Sequence, residues 1–343
     1  MARILPIDPR RPQPEVLREA ADVLRSGQLV AFPTETVYGL GGLALSPASL
    51  EAIFRAKGRP ATHPLIAHVL DQGVARQLAS RWPLQASLLA KRFWPGPLTL
   101  VVERDPAVPA ALSGGKPTIA IRVPSHPVSR GLLAALGEPI AAPSANHYQT
   151  LSPTRAEHVQ RSLGDRIALI LDGGPTPLGL ESTVVDLTSP RPRLLRPGAI
   201  APAELRQILP DLTIDSTPLG SESDRHSPGQ DPVHYAPRAR LEVLPRAEAI
   251  ARARSTAGRV ALILRGKRRA FGRNTSRSAP EVDESAGAIR VLPSSAAGFA
   301  REIFAALHDL DAGGVDVIVV EAPPDDEAWL AVRDRLERAS RRG

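Results

Sequence analysis

Up to about Pro197, apolar and polar positions recur with two different periods. A helical period covers Glu15–Ser26, and the short apolar run Leu29–Phe32 after it reads as a strand. Ser46-Pro47 opens the next helical stretch, Ala48–Lys57, with serine as N-cap and proline in the first helical position. Apolar runs at Leu65–Val69, Leu98–Val102, Ile119–Val123, Ile167–Leu171 and Thr183–Leu187 predict strands. Helical periods at Pro83–Phe93, Pro127–Leu136 and Thr154–Leu163 fall between them. Alternation of this kind predicts an α/β fold with the polar motifs on loops at strand ends.

After Gly198 the pattern changes. A short helix is expected at Ala203–Leu209, then Asp215–Asp231 is rich in Ser, Pro, Gly and Asp, lacks any period and reads as a linker. It leads into Ser227-Pro228-Gly229 and His234-Tyr235-Ala236-Pro237. Beyond it a smaller α/β unit is expected, with strands Val260–Leu264, Ile289–Leu292 and Val315–Val320 and helices near Arg246–Ser255, Ser294–Leu310 and Asp325–Ala339. The apolar strands predict a parallel, Rossmann-like sheet, yet no Gly-x-Gly-x-x-Gly follows the first of them, which argues against dinucleotide binding. Arg265–Arg273 reads as a solvated basic connection.

Composition narrows the choice. A length of 343 residues favours two domains. The absence of cysteine excludes disulfides, thiolate nucleophiles and cysteine metal sites, and fits a reducing cytoplasm. No apolar run approaches the ~20 residues of a membrane span, and Met1–Arg11 lacks a signal-peptide core, so a soluble cytoplasmic protein is expected. The net charge of +7 favours anionic partners such as nucleotides or RNA. A GC-rich genome, which enriches Ala, Arg and Pro over Lys, accounts for the same bias.

Lysine occurs at only four positions (Lys57, Lys91, Lys116 and Lys267), so Lys57 in Lys57-Gly58-Arg59-Pro60 stands out. A compact ammonium beside a planar guanidinium suits a phosphate. The pair equally suits a helix C-terminus, where the dipole favours cations. Tyr38, Tyr148 and Tyr235 all fall in polar, turn-forming segments, which suggests a shared ligand pocket. Ser144 and Asn146 follow the strand end Pro139–Ala142, the position where open α/β sheets bind ligands, although both residues also make turns. Arg122 inside an apolar strand needs a partner: either a bound carboxylate or phosphate, or an internal acid. His63 and His68 lack a second cluster that would complete a metal site. The inventory of hydroxyls, an amide and cations suits anion binding, with no covalent nucleophile in evidence.

Taken together, Phe32–Gly41, Lys57-Gly58-Arg59-Pro60 with His63-Pro64-Leu65, Trp94-Pro95-Gly96-Pro97-Leu98-Thr99, Ile121-Arg122-Val123-Pro124 and Pro143-Ser144-Ala145-Asn146 resemble the YrdC-type family over roughly residues 10–210. A linker or lid over 211–238 and a small C-terminal α/β domain over 239–343 resemble its longer form, the threonylcarbamoyl-AMP synthases. The resemblance implies a YrdC-like twisted mixed sheet followed by a Rossmann-like domain. It also implies a nucleotidyltransferase that joins L-threonine, bicarbonate and ATP, with magnesium, into threonylcarbamoyl-AMP and pyrophosphate. A separate tRNA threonylcarbamoyl transferase complex would then modify adenosine 37.

Carried over, Lys57, Arg59, His63, Thr118, Ser144, Asn146, Ser152, Arg196 and Tyr235 would contact ATP. Thr36, His68, Arg122, Ala142 and Ser182 would surround threonine. Two features depart from the family pattern: His63 stands where asparagine is common, and Gln230-Asp231-Pro232-Val233 replaces a more basic linker run. A non-catalytic RNA-binding module is the alternative reading. Carbamoyl transfer in hydrogenase maturation uses a related domain but would need cysteine zinc fingers.

Overall fold

The computed structural model describes residues 1–214, 234–255, 258–266 and 288–341. The expected linker over 215–231, the departure at 230–233 and the basic connection from 267 onward lie outside the described residues. In chain order the first part carries β1 (Arg3–Pro6), α1 (Pro14–Arg25), β2 (Val30–Pro33), β3 (Tyr38–Leu43), α2 (Pro47–Lys57), β4 (Ile66–His68), α3 (Gln72–Gln77), β5 (Ala79–Arg81) and α4 (Leu84–Phe93). There follow β6 (Leu98–Arg104), β7 (Thr118–Arg122), α5 (Pro127–Leu136), β8 (Ile140–Ala141), α6 (Ala156–Leu163) and β9 (Leu169–Asp172). The last elements of this part are β10 (Thr183–Asp186), β11 (Arg193–Arg196), α7 (Pro202–Arg206) and β12 (Thr213–Ile214).

These strands form one mixed sheet in the order β1-β9-β2-β3-β8-β4-β7-β6-β10-β11-β12, with β5 beside β6. Parallel pairs such as β4 with β7 and β6 with β10 sit next to antiparallel ones such as β3 with β8 and β6 with β7. The mixed α/β class anticipated above is the one observed. Local chemistry explains the elements. Helix α1 buries Leu17, Ala20, Ala21 and Leu24, which share one face at helical spacing. Helix α2 starts where the Ser46 side chain accepts from the Ser49 amide, and stops at Gly58, whose φ of 63° is costly for other residues.

Strand β3 was not expected, because Tyr-Gly-Leu-Gly-Gly-Leu reads as a turn. Its glycines answer a packing need. A Cβ on Gly41 would stand 2.8 Å from Phe32 Cε1 and 3.1 Å from Ile140 Cγ2, on the strands either side. The turn proper is Thr34–Val37, where Thr34 Oγ1 accepts from the Thr36 and Val37 amides.

The second part holds β13 (Arg240–Leu244), α8 (Arg246–Ser255), β14 (Val260–Arg265), β15 (Ile289–Leu292), α9 (Ala296–Ala312), β16 (Val317–Glu321) and α10 (Leu330–Ser340). Its four strands are all parallel, in the order β13-β16-β14-β15. Strand β13 escapes the apolar pattern because it is an edge strand carrying Arg240 and Glu242, with Leu241 alone fully buried. Its core gathers Phe299, Ile303, Phe304 and Leu336, and Val37, Leu151 and Leu180 of the first part pack into the same cluster. Among the described residues no helix is long and apolar enough to cross a membrane.

Candidate functional site

Several strand ends of the large sheet converge on one cleft. The Thr34–Val37 turn forms one wall. Backbone bonds thread the Pro143–Ala145 segment alongside β3: the Leu40 amide donates to Pro143 O and the Ala145 amide to Tyr38 O, which leaves Ser144 facing the cleft. His68 ends β4, Arg122 ends β7, Glu181 and Ser182 precede β10, and Arg196 ends β11. The remaining wall is His234 and Tyr235.

Among the expected site residues, Thr36, Arg59, His68, Arg122, Ala142, Ser144, Ser182, Arg196 and Tyr235 line this cleft. Lys57, His63, Thr118, Asn146 and Ser152 are buried and do not line it, and Thr118 lies at the far end of β7 from Arg122. Lys57 is 1% exposed, and its Nζ donates to the carbonyls of Ser144 and Asn146, each at 2.6 Å. Burial and the neighbouring Arg59 charge hold its pKa well below the usual lysine range. The ammonium therefore grips the loop that presents Ser144. Asn146 continues the brace, its amide donating to His147 O and Thr150 O. His63 packs edge-on against the Tyr148 ring, 5.4 Å between centroids, while the Arg59 guanidinium lies 5.8 Å from that ring and donates to Pro64 O. Thr118 begins β7 opposite Glu103.

Arg122 has an internal acid as its partner. It donates to Glu35 Oε1 at 2.6 Å, to Thr36 Oγ1 at 2.9 Å and to Gly96 O at 3.3 Å. Burial works to raise the Glu35 pKa, but Arg122 and the Ser125 amide more than offset it, so the carboxylate sits below its ordinary range. The same surroundings hold His68 neutral: burial, then the Arg122 charge, lower its pKa to about 3. Ser182 Oγ shares a hydrogen bond of 2.7 Å with Thr99 Oγ1 and accepts from Arg196 at 2.9 Å. The Trp-Pro-Gly-Pro-Leu-Thr motif thus acts through Gly96 O and Thr99, which orient Arg122 and Ser182.

Glu181 is the one carboxylate among the described residues lining the cleft, and both its oxygens are engaged. Oε1 accepts from Ser152 Oγ, and Oε2 accepts from Arg335 Nε at 2.8 Å. Burial disfavours the Arg335 charge, yet Tyr235, Glu181 and Asp334 hold its pKa above the ordinary arginine range. Tyr235 takes a φ of 62°, stacks near Phe304 and has its pKa pushed up to about 12 by burial. Its hydroxyl is buried with no partner among the described residues. Sequence reasoning missed Glu35, Thr99, His234 and Arg335 as members of this network. Glu35 had a signal as an acid beside the threonines while Arg122 lacked a partner, and Thr99 and His234 stood in quoted motifs; Arg335 had none.

No group of three or more His, Asp or Glu side chains among the described residues could hold a metal ion. Arg59, Arg122 and Arg196 open on the cleft, and the single carboxylate among the described residues that line it is already bound by Arg335. A cationic, hydroxyl-lined cleft at the strand ends of a mixed α/β sheet defines a domain that binds small polar anions.

The Sua5/YciO/YrdC family model, described as telomere recombination, matches residues 22–198, and the model for the threonylcarbamoyl-AMP synthase C-terminal domain matches residues 200–341. The chain is 41% identical to the threonylcarbamoyl-AMP synthase of Pyrococcus abyssi over 334 residues, 94% of each protein. It is 38% identical to that of Bacillus subtilis over 329 residues, 94% of this chain and 92% of the relative. The crystal structure of P. abyssi Sua5 complexed with L-threonine matches with a TM-score of 0.88 at 39% identity, covering 99% of this chain and 98% of that one. The chain belongs to the threonylcarbamoyl-AMP synthase family, whose enzymes use ATP.

Proposed function

We propose that this chain converts L-threonine, bicarbonate and ATP into threonylcarbamoyl-AMP and pyrophosphate in the cleft described above. The observation that carries the reading is the convergence of Arg59, Arg122 and Arg196 on a cleft whose one carboxylate among the described residues is paired with Arg335. Such a site attracts a triphosphate and an amino-acid carboxylate together. The threonine would lie against Thr36, His68, Arg122, Ala142 and Ser182. Arg122 would offer its guanidinium edge to the carboxylate, and neutral His68 would add no charge against the amine. The nucleotide would lie against Arg59, Ser144, Arg196 and Tyr235, with the unpartnered Tyr235 hydroxyl as a ready donor. Lys57, Asn146, Ser152 and His63 would support that side from behind.

The chemistry asks for positioning. The threonine amine and carbon dioxide from bicarbonate form a carbamate, whose oxygen bonds to the α-phosphorus as the bond to the β-phosphate oxygen breaks. The site then holds the two anions in line, stabilises charge with fixed guanidinium groups and keeps water from the labile carbamate. Magnesium bound with the nucleotide would neutralise part of the triphosphate charge; Glu181, the one carboxylate among the described residues lining the cleft, is already engaged. The product suits a later transfer of its threonylcarbamoyl group to tRNA by another protein.

The test is pyrophosphate release with ATP and magnesium, omitting threonine or bicarbonate in turn and replacing threonine by serine. Release that requires both substrates is expected. ATP turnover indifferent to threonine, or none with all substrates present, would overturn the reading.

A further inference from the structure

We infer that Arg335, on the last helix of the second unit, is a positioning residue for the nucleotide side of the cleft, an assignment that rests on the function proposed above. Arg335 is among the largest side chains in the molecule to be fully buried. Its single guanidinium reaches three separate pieces of the cleft wall. Nε donates to Glu181 at 2.8 Å, NH2 donates to Pro197 O at 3.0 Å, and the guanidinium carbon lies 5.1 Å from the centre of the Tyr235 ring. NH1 is anchored at home on Asp334, which also accepts from Arg338. Pro197 follows Arg196 directly, and Glu181 in turn holds the Ser152 hydroxyl. The fork therefore ties together the segments carrying Ser152, Arg196 and Tyr235.

The surrounding packing is built around that contact. Gly179, with φ of 77°, lets the backbone of α9 press against the loop that carries Glu181: a Cβ there would meet Arg301 O at 2.5 Å. Leu151 and Leu180, the sequence neighbours of Ser152 and Glu181, sit in the second unit's core. His308 Nε2 on α9 lies 3.1 Å from Ser152 O. The Arg122 guanidinium on the threonine side has partners of its own, Glu35, Thr36 and Gly96 of the first unit, and meets the Arg335-held segments only indirectly, where the Leu178 and Gly179 amides donate to Glu35 O and Thr36 O. A guanidinium that touches the Glu181, Pro197 and Tyr235 segments directly, and the threonine side only through Ser182 and the loop before Glu181, should affect ATP more than threonine. A planar fork makes these contacts at once, whereas an ammonium cannot.

The experiment is steady-state kinetics of full-length Arg335→Lys and Arg335→Gln proteins, with ATP binding measured by titration calorimetry. Arg335→Lys keeps a cation beside Glu181 and is expected to fold. Its KM and Kd for ATP should rise about tenfold, with the KM for threonine changed less than twofold, and Arg335→Gln should be worse for ATP. Arg206→Gln supplies the comparison, because it breaks the half-exposed Arg206–Glu327 ion pair that bridges the same two units away from the cleft. It should leave both KM values unchanged. Wild-type ATP affinity in a folded Arg335→Lys protein overturns the assignment, as does an equal loss for both substrates or an equal ATP effect from Arg206→Gln. If the wild-type chain shows no threonine-dependent pyrophosphate release, the functional reading fails, while the calorimetric ATP affinities still judge Arg335.

Discussion

Lys57 shows how a residue's type and its surroundings divide the work. Its rarity in an arginine-rich chain pointed to a compact ammonium, and the fold uses that ammonium to hold two backbone carbonyls of the loop presenting Ser144. Replacement by methionine leaves two buried carbonyls without a donor, each costing about 1–3 kcal/mol. Lys57→Met should therefore lower the denaturant midpoint by an equivalent of about 2–6 kcal/mol and activity by a factor of about 10² or more. Lost activity at unchanged stability would instead place the ammonium on the ligand. Arg122 should separate cleanly from it. With Glu35 and Thr36 anchoring two of its nitrogens, Arg122→Lys loses the fork and should raise the KM for threonine by tenfold or more, roughly the 1.5–3 kcal/mol of a charged hydrogen bond. A KM for threonine within twofold of wild type would remove Arg122 from the carboxylate site.

Among the elements, those with a clear period were legible, because periodicity reports which face a helix or strand buries. Helices α1, α2 and α5 fall within a residue or so of the expected spans. Strands β3 and β13 were not, for opposite reasons. Strand β3 has glycine where its neighbours leave no room, and β13 has charges because an edge strand faces solvent on one side. Gly41 provides the check. Its φ is ordinary and only space is lacking, so Gly41→Ala forces Phe32 and Ile140 apart and should cost about 1–3 kcal/mol. Chemical denaturation measures this, and a midpoint equal to wild type would mean that the three strands are less closely packed than described.

The molecule as a whole buries several histidines that stay neutral. Burial lowers His68 to about 3, His158 to about 2 and His308 to about 4, and His234 also lies well below its ordinary value. His158 and His308 stack across the two units with ring centroids 3.9 Å apart. Below about pH 6.5 the unfolded chain takes up protons that the native state refuses, so stability falls as pH drops from about 6.5 toward 4. The ceiling is about 1.4 kcal/mol per pH unit for each proton, less for the partly covered His308. Thermal midpoints should be flat above about pH 7 and decline steadily below 6.5. A flat profile down to pH 4 would show that these rings are protonated in the folded state.

The α/β class, most of the helices, the strongly apolar strands and the segments that carry polar chemistry were determined by the sequence alone, since hydrophobic period, caps and turn residues act over a few neighbours. The family was legible too, because its motifs are short and contiguous. What each polar residue holds was decided only by the tertiary structure. Arg122 finds Glu35 at a separation of 87 residues, Lys57 finds the Ser144 carbonyl at 87, and Arg335 finds Glu181 at 154. These pairs depend on strand register and on how the second unit packs against the first, and no local period records either. Burial makes such partners obligatory, because a charge removed from water must be met at hydrogen-bond distance by whatever group the fold brings there.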